Sequence, residues 1–378
     1  MEITNLITPA LLIDKTKLLR NIQLMAEKAQ RNGVQLRPHI KTHKCIELAN
    51  LQTEYGAAGL TVSTLGQAAV FIDNGFSDIT LAYPIIPDKF PALLELAQRA
   101  RINVVTDHPV IATQLEAQCI AADIRLNVLI KIDCGYHRCG VDPKGPMALK
   151  LTKQIADASH LSFGGILTHA GHAYHARSQE EIKTIADIEQ EVMLQFTKTL
   201  QANGLAPETV SIGSTPTAMQ APNFKTGITE IRPGNYVFFD NTQALLGSCS
   251  LADCALTVLT SVVSVQDSHI VVDAGATALS KDAGATQIPT HRGYGIVLKL
   301  GDEFKPTAAQ ITQLSQEHGQ IKFPHSPHPS YTPGDQLRII PNHSCLTTNL
   351  FDQYYIIENN RVITTWPIHR NRLHSPLA

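Results

Sequence analysis

Eight short apolar runs, separated by stretches of helical periodicity, are the feature that most constrains how this chain can fold. They lie at residues 35–38, 59–62, 78–82, 103–106, 127–132, 163–168, 210–212 and 230–232. Apolar runs this short, bounded by Gly, Pro and Asp, read as strands buried on both faces. Helical material between them covers those faces, and eight such units is the count for a (β/α)₈ TIM barrel. A doubly wound parallel sheet is the competing α/β architecture. Leu18, Leu19, Ile22, Met25, Ala26 and Ala29 recur at helical spacing, and Gly33 suits the left-handed position that ends a helix. His108 precedes Pro109, a residue favoured at the first helical position, and Ser178 with Glu181 forms a capping pair opening a long helix that Gly204 stops.

The pattern changes near residue 250. Strand-like runs follow at 256–265, 269–272, 295–299, 336–340 and 354–365, the last bent at Asn359-Asn360. Helical spacing survives only at 308–318, and 324–333, with four prolines and two histidines, reads as an ordered loop. The expected organisation is therefore a barrel over 1–250 and a smaller, mainly antiparallel β-domain over 251–378, with the first ten or so residues as candidates to pack on the β-domain.

Composition narrows the function classes. A net charge of −2 with scattered basic residues gives no footprint for nucleic acid or an anionic membrane. No stretch approaches the roughly 18–20 apolar residues of a spanning helix, and MEITNLITPALLIDKTK lacks the pattern of a secretory signal. Seven cysteines without regular spacing argue against a disulfide framework, so a reducing cytoplasm is expected. Sixteen histidines, several at strand ends, hint at site chemistry.

Active sites of TIM barrels form at the C-terminal ends of the strands. After the first strand comes RPHIKTHK, residues 37–44, where Lys41 is either a desolvated amine able to attack an aldehyde or a solvated lysine in a basic loop. The fifth strand leads into DCGYHRCG with Arg138, and the sixth into His169-Ala170-Gly171-His172-Ala173-Tyr174. Gly213-Ser214-Thr215 follows the seventh strand and Gly234-Asn235-Tyr236 the eighth, where barrels commonly hold a phosphate on backbone N–H groups and hydroxyls. Two ordinary glycine turns would look the same. In PNHSC, His343 and Cys345 are two residues apart; an extended segment would put both on one face, able to bind an ion such as zinc with an open position for water or substrate. A buried cysteine beside a surface histidine is the alternative.

RPHIKTHK, DCGYHRCG, GSTPT, RPGNYVFFD, VDAGATALS, QEHG and PNHSCLTTNLFD together resemble the D-serine dehydratase and D-threonine aldolase family, alanine-racemase-like enzymes of fold type III. The resemblance runs in order along nearly the whole chain. It implies pyridoxal phosphate on Lys41, with Tyr174, Ser214, Gly234 and Asn235 holding its ring or phosphate and Arg138 near the ring; His169, Gly213, Thr215 and Tyr236, beside them at the strand ends, complete the expected cofactor site. A divalent metal, usually zinc, is implied on His343 and Cys345. It also implies a small D-3-hydroxy amino acid as substrate and a homodimer with shared active sites, metal and Lys41 coming from different chains. Bacterial D-threonine aldolases of this family carry His and Asp at the metal motif and the dehydratases His and Cys, so Cys345 leans toward dehydration. Retro-aldol cleavage, racemisation and non-catalytic cofactor binding are the rivals.

Overall fold

The computed structural model describes residues 1–301, 306–324 and 330–370. The chain divides into two compact units, and not by a single cut. One contains Met25–Ala173, Glu180–Gly234 and His369; the other contains Met1–Leu24, Tyr174–Gln179 and Asn235–Ile368.

The chain begins with β1 (Ala10–Asp14), then supplies eight parallel strands to the first unit. These are β2 (Gln35–Leu36), β3 (Leu60–Val62), β4 (Asp78–Pro84), β5 (Arg101–Thr106), β6 (Leu126–Lys131), β7 (Leu161–Leu167), β8 (Thr209–Ile212) and β9 (Glu230–Ile231). They pair in the order β2-β9-β8-β7-β6-β5-β4-β3. Backbone bonds from Ala58 N–H to Leu36 O and from Thr61 N–H to Pro38 O, both 2.9 Å, join the two ends, so the sheet closes as the eight runs predict. Helices Lys15–Arg31, Pro109–Ala122 and Gln179–Ala202 lie where the periodicity places them, and Gly33 and Gly204 follow two of them at φ +65° and +74°.

Much of the barrel interior is polar. Arg37 Nε sits 2.6 Å from Glu230 and its Nη1 2.7 Å from Asp78, while Asn127 donates to Asn103 and Asn103 to Thr80. A Cβ on Gly164 would lie 2.2 Å from the Asn127 amide, so glycine there leaves room for the network.

The second unit holds β1 together with β10 (Leu256–Gln266), β11 (His269–Val272), β12 (Gly295–Lys299), β13 (Pro306–Leu314), β14 (Gly319–Lys322), β15 (Gln336–Pro341), β16 (Gln353–Glu358) and β17 (Arg361–Pro367). Six of them close on themselves through the pairings β10-β11-β14-β13-β12-β15-β10, all antiparallel. β1 extends this sheet, antiparallel to β10 and parallel to β16, and Asn359 and Asn360 turn β16 into β17 with positive φ. Ile3, Leu6, Ala10, Leu12, Leu259 and Ile357 form one apolar cluster of this unit. One expectation needs correcting. Residues 308–318 are not helical but belong to β13 and the turn into β14. The loop expected at 324–333 falls partly, at 325–329, outside the described residues. No helix among the described residues is long and apolar enough to cross a membrane.

Candidate active site

In the barrel unit, β2 runs into a 3₁₀ turn, Ile40–Thr42, that carries Lys41 with its side chain exposed. His39 caps the turn by accepting from the Lys41 N–H at 3.4 Å, and its other ring nitrogen lies 3.3 Å from Ser63 Oγ. Burial and then the Lys41 charge push the His39 imidazolium well below its ordinary range, so the ring is neutral. His169, after β7, is held neutral in the same way, by burial and then by Lys41, Lys131, Arg138 and Arg232. Arg138 lies over the Tyr136 ring, 5.0 Å from its centroid, and that ring meets His169 edge-on at 6.1 Å. The structure thus brings Lys41, Arg138 and His169 together, as the sequence predicts, and adds His39, Lys131, Tyr136 and Arg232, none of which spacing singles out.

The two expected phosphate turns are present. Gly213 adopts φ +106° and donates its N–H to the buried Glu189 carboxylate at 3.0 Å. Ser214 caps the helical turn Thr215–Gln220. Thr215 Oγ1 is buried with no hydrogen-bond partner among the described residues, a donor left over for a ligand. On the other turn, a Cβ at Gly234 would lie 2.7 Å from His39 O and 3.1 Å from Thr42 Oγ1. Glycine there lets the strand-eight turn seat directly against the turn that bears Lys41. The spare hydroxyl, the glycine cradle and the cations around His169 suit a phosphorylated aldehyde such as pyridoxal phosphate.

Lys41 is flanked by a second buried histidine. His43 accepts from the Cys45 N–H at 3.1 Å and donates to Gln52 at 3.2 Å, and burial lowers its pKa to about 3. The folded chain therefore refuses a proton that the unfolded chain accepts below its ordinary value near 6.5. Stability from this group is complete above about pH 6.5 and falls as the pH drops, by about 2 kcal/mol at pH 5. Denaturant midpoints at pH 7 and 5 should show the loss, and His43→Gln should flatten that dependence.

The second unit presents the expected metal pair. His343 and Cys345 do not lie on an extended segment; β15 ends at Pro341, and His343 stands at the N-terminal boundary of a helical turn, Ser344–Thr347. The cause is Asp240, whose buried carboxylate accepts from the Ser344 N–H at 2.9 Å and from Asn235 Nδ2 at 2.6 Å. His343 Nδ1 pairs with Asp282 at 2.8 Å, which leaves Nε2 as the nitrogen a metal can take. Burial disfavours a charged ring, yet hydrogen bonds to Asp282 and Cys345 raise the His343 imidazolium above its ordinary range. Imidazole and thiol in mutual contact, one ring nitrogen anchored by a carboxylate, form a donor set that suits a borderline divalent ion. No group of three or more His, Cys, Asp or Glu side chains converges as a metal site among the described residues, so water or substrate would complete the shell.

Asn235 connects the two roles within this unit. Its Nδ2 lies 3.6 Å from Cys345 Sγ, and its buried Oδ1 has no partner among the described residues. A residue expected to hold cofactor and one expected to hold metal are therefore neighbours within this unit. Tyr174 lies in the 3₁₀ turn Gly171–His175, and its carbonyl accepts from Gln287 at 3.0 Å. The Tyr236 side chain is fully buried in the 3₁₀ turn Asn235–Val237.

Residues 13–242 match the alanine racemase N-terminal domain, and residues 255–357 match a putative serine dehydratase domain. D-serine dehydratase of Dictyostelium discoideum is 36% identical over 97% of both chains. The chain belongs to the D-serine dehydratase/D-threonine aldolase family. Within that family, D-threo-3-hydroxyaspartate dehydratase of Delftia sp. (strain HT23) is 35% identical over 97% of each chain, and its solved structure superposes with a TM-score of 0.92, covering 97% of this chain and 98% of that one. D-threonine aldolase of Arthrobacter sp. is more distant, 27% identical over 96% of this chain and 92% of its own. Alanine racemases at 13–15% identity share the fold, with TM-scores of 0.68–0.69. Two further family structures are variants of the D-threo-3-hydroxyaspartate dehydratase, one with a histidine and one with a cysteine replaced by alanine, the second in a metal-free form.

Proposed function

We propose that this chain is a pyridoxal-phosphate- and divalent-metal-dependent lyase that dehydrates a D-3-hydroxy amino acid, converting D-serine or D-threo-3-hydroxyaspartate to a 2-keto acid and ammonia. The observation that carries the reading is the His343-x-Cys345 pair on its anchored turn. A histidine and a cysteine two positions apart are the residues replaced in the family's dehydratase variants, one of them metal-free. Retro-aldol cleavage to glycine and an aldehyde is the second reading, favoured by the D-threonine aldolase and by the 3-hydroxy-D-aspartate aldolase of Paracoccus denitrificans, 30% identical to this chain.

Pyridoxal phosphate, covalently attached through its aldehyde to Lys41, would supply the electron sink for charge left at the substrate's α-carbon. A divalent ion, with zinc the natural fit to an imidazole and a thiolate, would be held by His343 and Cys345 and supply Lewis acidity toward the β-hydroxyl. The remaining chemistry belongs to side chains of this protein. Lys41, released as a free amine when substrate replaces it, takes the α-proton. His39 and His169, held neutral, keep further positive charge away from that amine. Thr215, Ser214, Gly213 and Gly234 orient the phosphate, while Arg138, Tyr174 and Asn235 bear on the ring. Net, the substrate loses ammonia and its α-carbon becomes a ketone; the water expelled with the hydroxyl is recovered on hydrolysis.

A homodimer is part of this proposal. Leu346 and Leu350, 39% and 36% exposed beside the metal pair, are apolar surface that a second copy would cover. A reducing cytoplasm suits the thiolate ligand. The test is to incubate the metal-loaded holoprotein with D-serine, D-threonine and D-threo-3-hydroxyaspartate and measure keto acid, ammonia, glycine and aldehyde. Keto acid and ammonia in equal amounts are expected; glycine with aldehyde alone would establish the second reading.

A further inference from the structure

The segment from Asp282 to Gly293, between the short helix Ala276–Leu279 and β12, contains no strand or helix, yet it is pinned at three places within its unit. At its start, Asp282 Oδ2 pairs with His343 Nδ1 at 2.8 Å, and Asp282 Oδ1 accepts from the Gly284 N–H at 2.7 Å, which fixes the carboxylate in the plane it presents to the ring. In its middle, Gln287 Nε2 donates to the backbone carbonyls of Tyr174 and Ala176, both at 3.0 Å. Between these, the Asn342 amide donates to the carbonyls of Asp282, Ala283 and Gly293 at 3.3, 3.1 and 2.9 Å, and its own oxygen accepts from Asn241. Asn342 is the residue before His343. The loop is packed tightly here, since a Cβ on Gly284 would come within 2.7 Å of Thr242 Oγ1 and 3.2 Å of Asn342 Cβ.

We propose that this loop couples metal binding to cofactor binding, with Asp282 and Gln287 as its positioning residues: Asp282 sets the imidazole of the metal pair, and Gln287 sets the backbone of the segment that presents Tyr174. The inference rests on the reading above, in which His343 and Cys345 hold the metal and Tyr174 bears on the cofactor. Its physical basis is the shared anchor. A metal on Nε2 fixes the ring and with it Asp282; Asn342 fixes three carbonyls of the loop and hence the place from which Gln287 reaches. Ordering one end lowers the entropy cost of ordering the other, so each ligand tightens the other, reciprocally.

The experiment uses full-length apoprotein stripped of both groups. Pyridoxal phosphate is titrated by its absorbance with Zn²⁺ present and with chelator, and Zn²⁺ affinity is measured separately by competition with a chromophoric chelator. In the unaltered chain Zn²⁺ should tighten cofactor binding at least about fivefold, the lower end of ordinary coupling. Gln287→Met, similar in volume but without donors, should bring that factor close to one and leave Zn²⁺ affinity in the absence of cofactor unchanged. Asp282→Asn should weaken Zn²⁺ binding by about 10–100-fold, the scale for losing the carboxylate partner of a metal-bound histidine. Circular dichroism of each variant verifies the fold. Equal cofactor affinity with and without bound Zn²⁺ in the unaltered chain, or full coupling in Gln287→Met, overturns the proposal. If instead Cys345→Ala binds Zn²⁺ as tightly as the unaltered chain, the underlying metal assignment is what has failed.

Discussion

Lys41→Ala protein, supplied with saturating pyridoxal phosphate, should lose about a thousandfold or more of its turnover on D-serine, because it removes both the covalent anchor and the amine that takes the α-proton. Borohydride reduction of the unaltered holoprotein followed by peptide mapping should place the pyridoxyl group on Lys41. The serious rival is Lys131 at the end of β6, whose pKa burial and Arg232 lower to about 8, so that more of it is free amine near neutral pH than of an ordinary lysine. Access decides between them: Lys131 is only 3% exposed, whereas the Lys41 side chain is open to solvent on its 3₁₀ turn. A pyridoxyl group recovered on Lys131 or Lys44 would overturn the assignment.

Cys345→Ala should have the second large effect, and a selective one. Metal affinity falls, and keto-acid formation from every D-3-hydroxy amino acid drops by several kcal/mol of transition-state stabilisation, the usual scale for a Lewis-acid metal. The covalent attachment at Lys41 and its absorbance should survive, as should part of the α-proton exchange of D-alanine in deuterated water, since that substrate has no β-hydroxyl. Chelation of the unaltered enzyme should reproduce this pattern. Undiminished dehydration after either treatment would make Cys345 a packing residue and remove the metal from the reaction.

The barrel was legible because its strands obey a simple rule: short apolar runs, buried on both faces, bounded by turn residues. The misreading of 308–318 has a specific cause. In β13 the register shifts between Ile311 and Gln313, so Ala309, Ile311 and Leu314 all point inward. A bulge of one residue turns a spacing of two into a spacing of three, which is what a helix looks like in sequence. β1 was hidden for another reason: its five residues run straight into the helix Lys15–Arg31, with no turn signal to separate them.

At the site, several residues just past strand ends could be read, and those that act from other parts of the chain could not. Lys41, Arg138, His169, Gly213 and Gly234 lie in the segments that follow strands. Asp282 reaches His343 from 61 positions away, through a loop whose composition announces nothing. Asp240 ends the RPGNYVFFD motif, yet only the fold shows that its carboxylate curls the His343 segment into a helical turn, the feature that defeated the expectation of an extended pair.

The position of β1 has a consequence for how the protein is made. Its residues leave the ribosome early, but its neighbours β10 and β16 begin at Leu256 and Gln353. The eight barrel strands are all synthesised before either neighbour, so the barrel's own pairings are available while Ala10–Ile13, each 2% exposed or less once folded, still await cover. During that interval the nascent chain carries an apolar strand with both edges open, the configuration that invites intermolecular pairing. A fragment ending at residue 250 would keep that liability permanently. Expressed as the barrel alone it should aggregate, and a designer wanting a soluble barrel would have to remove the first strand along with the β-domain.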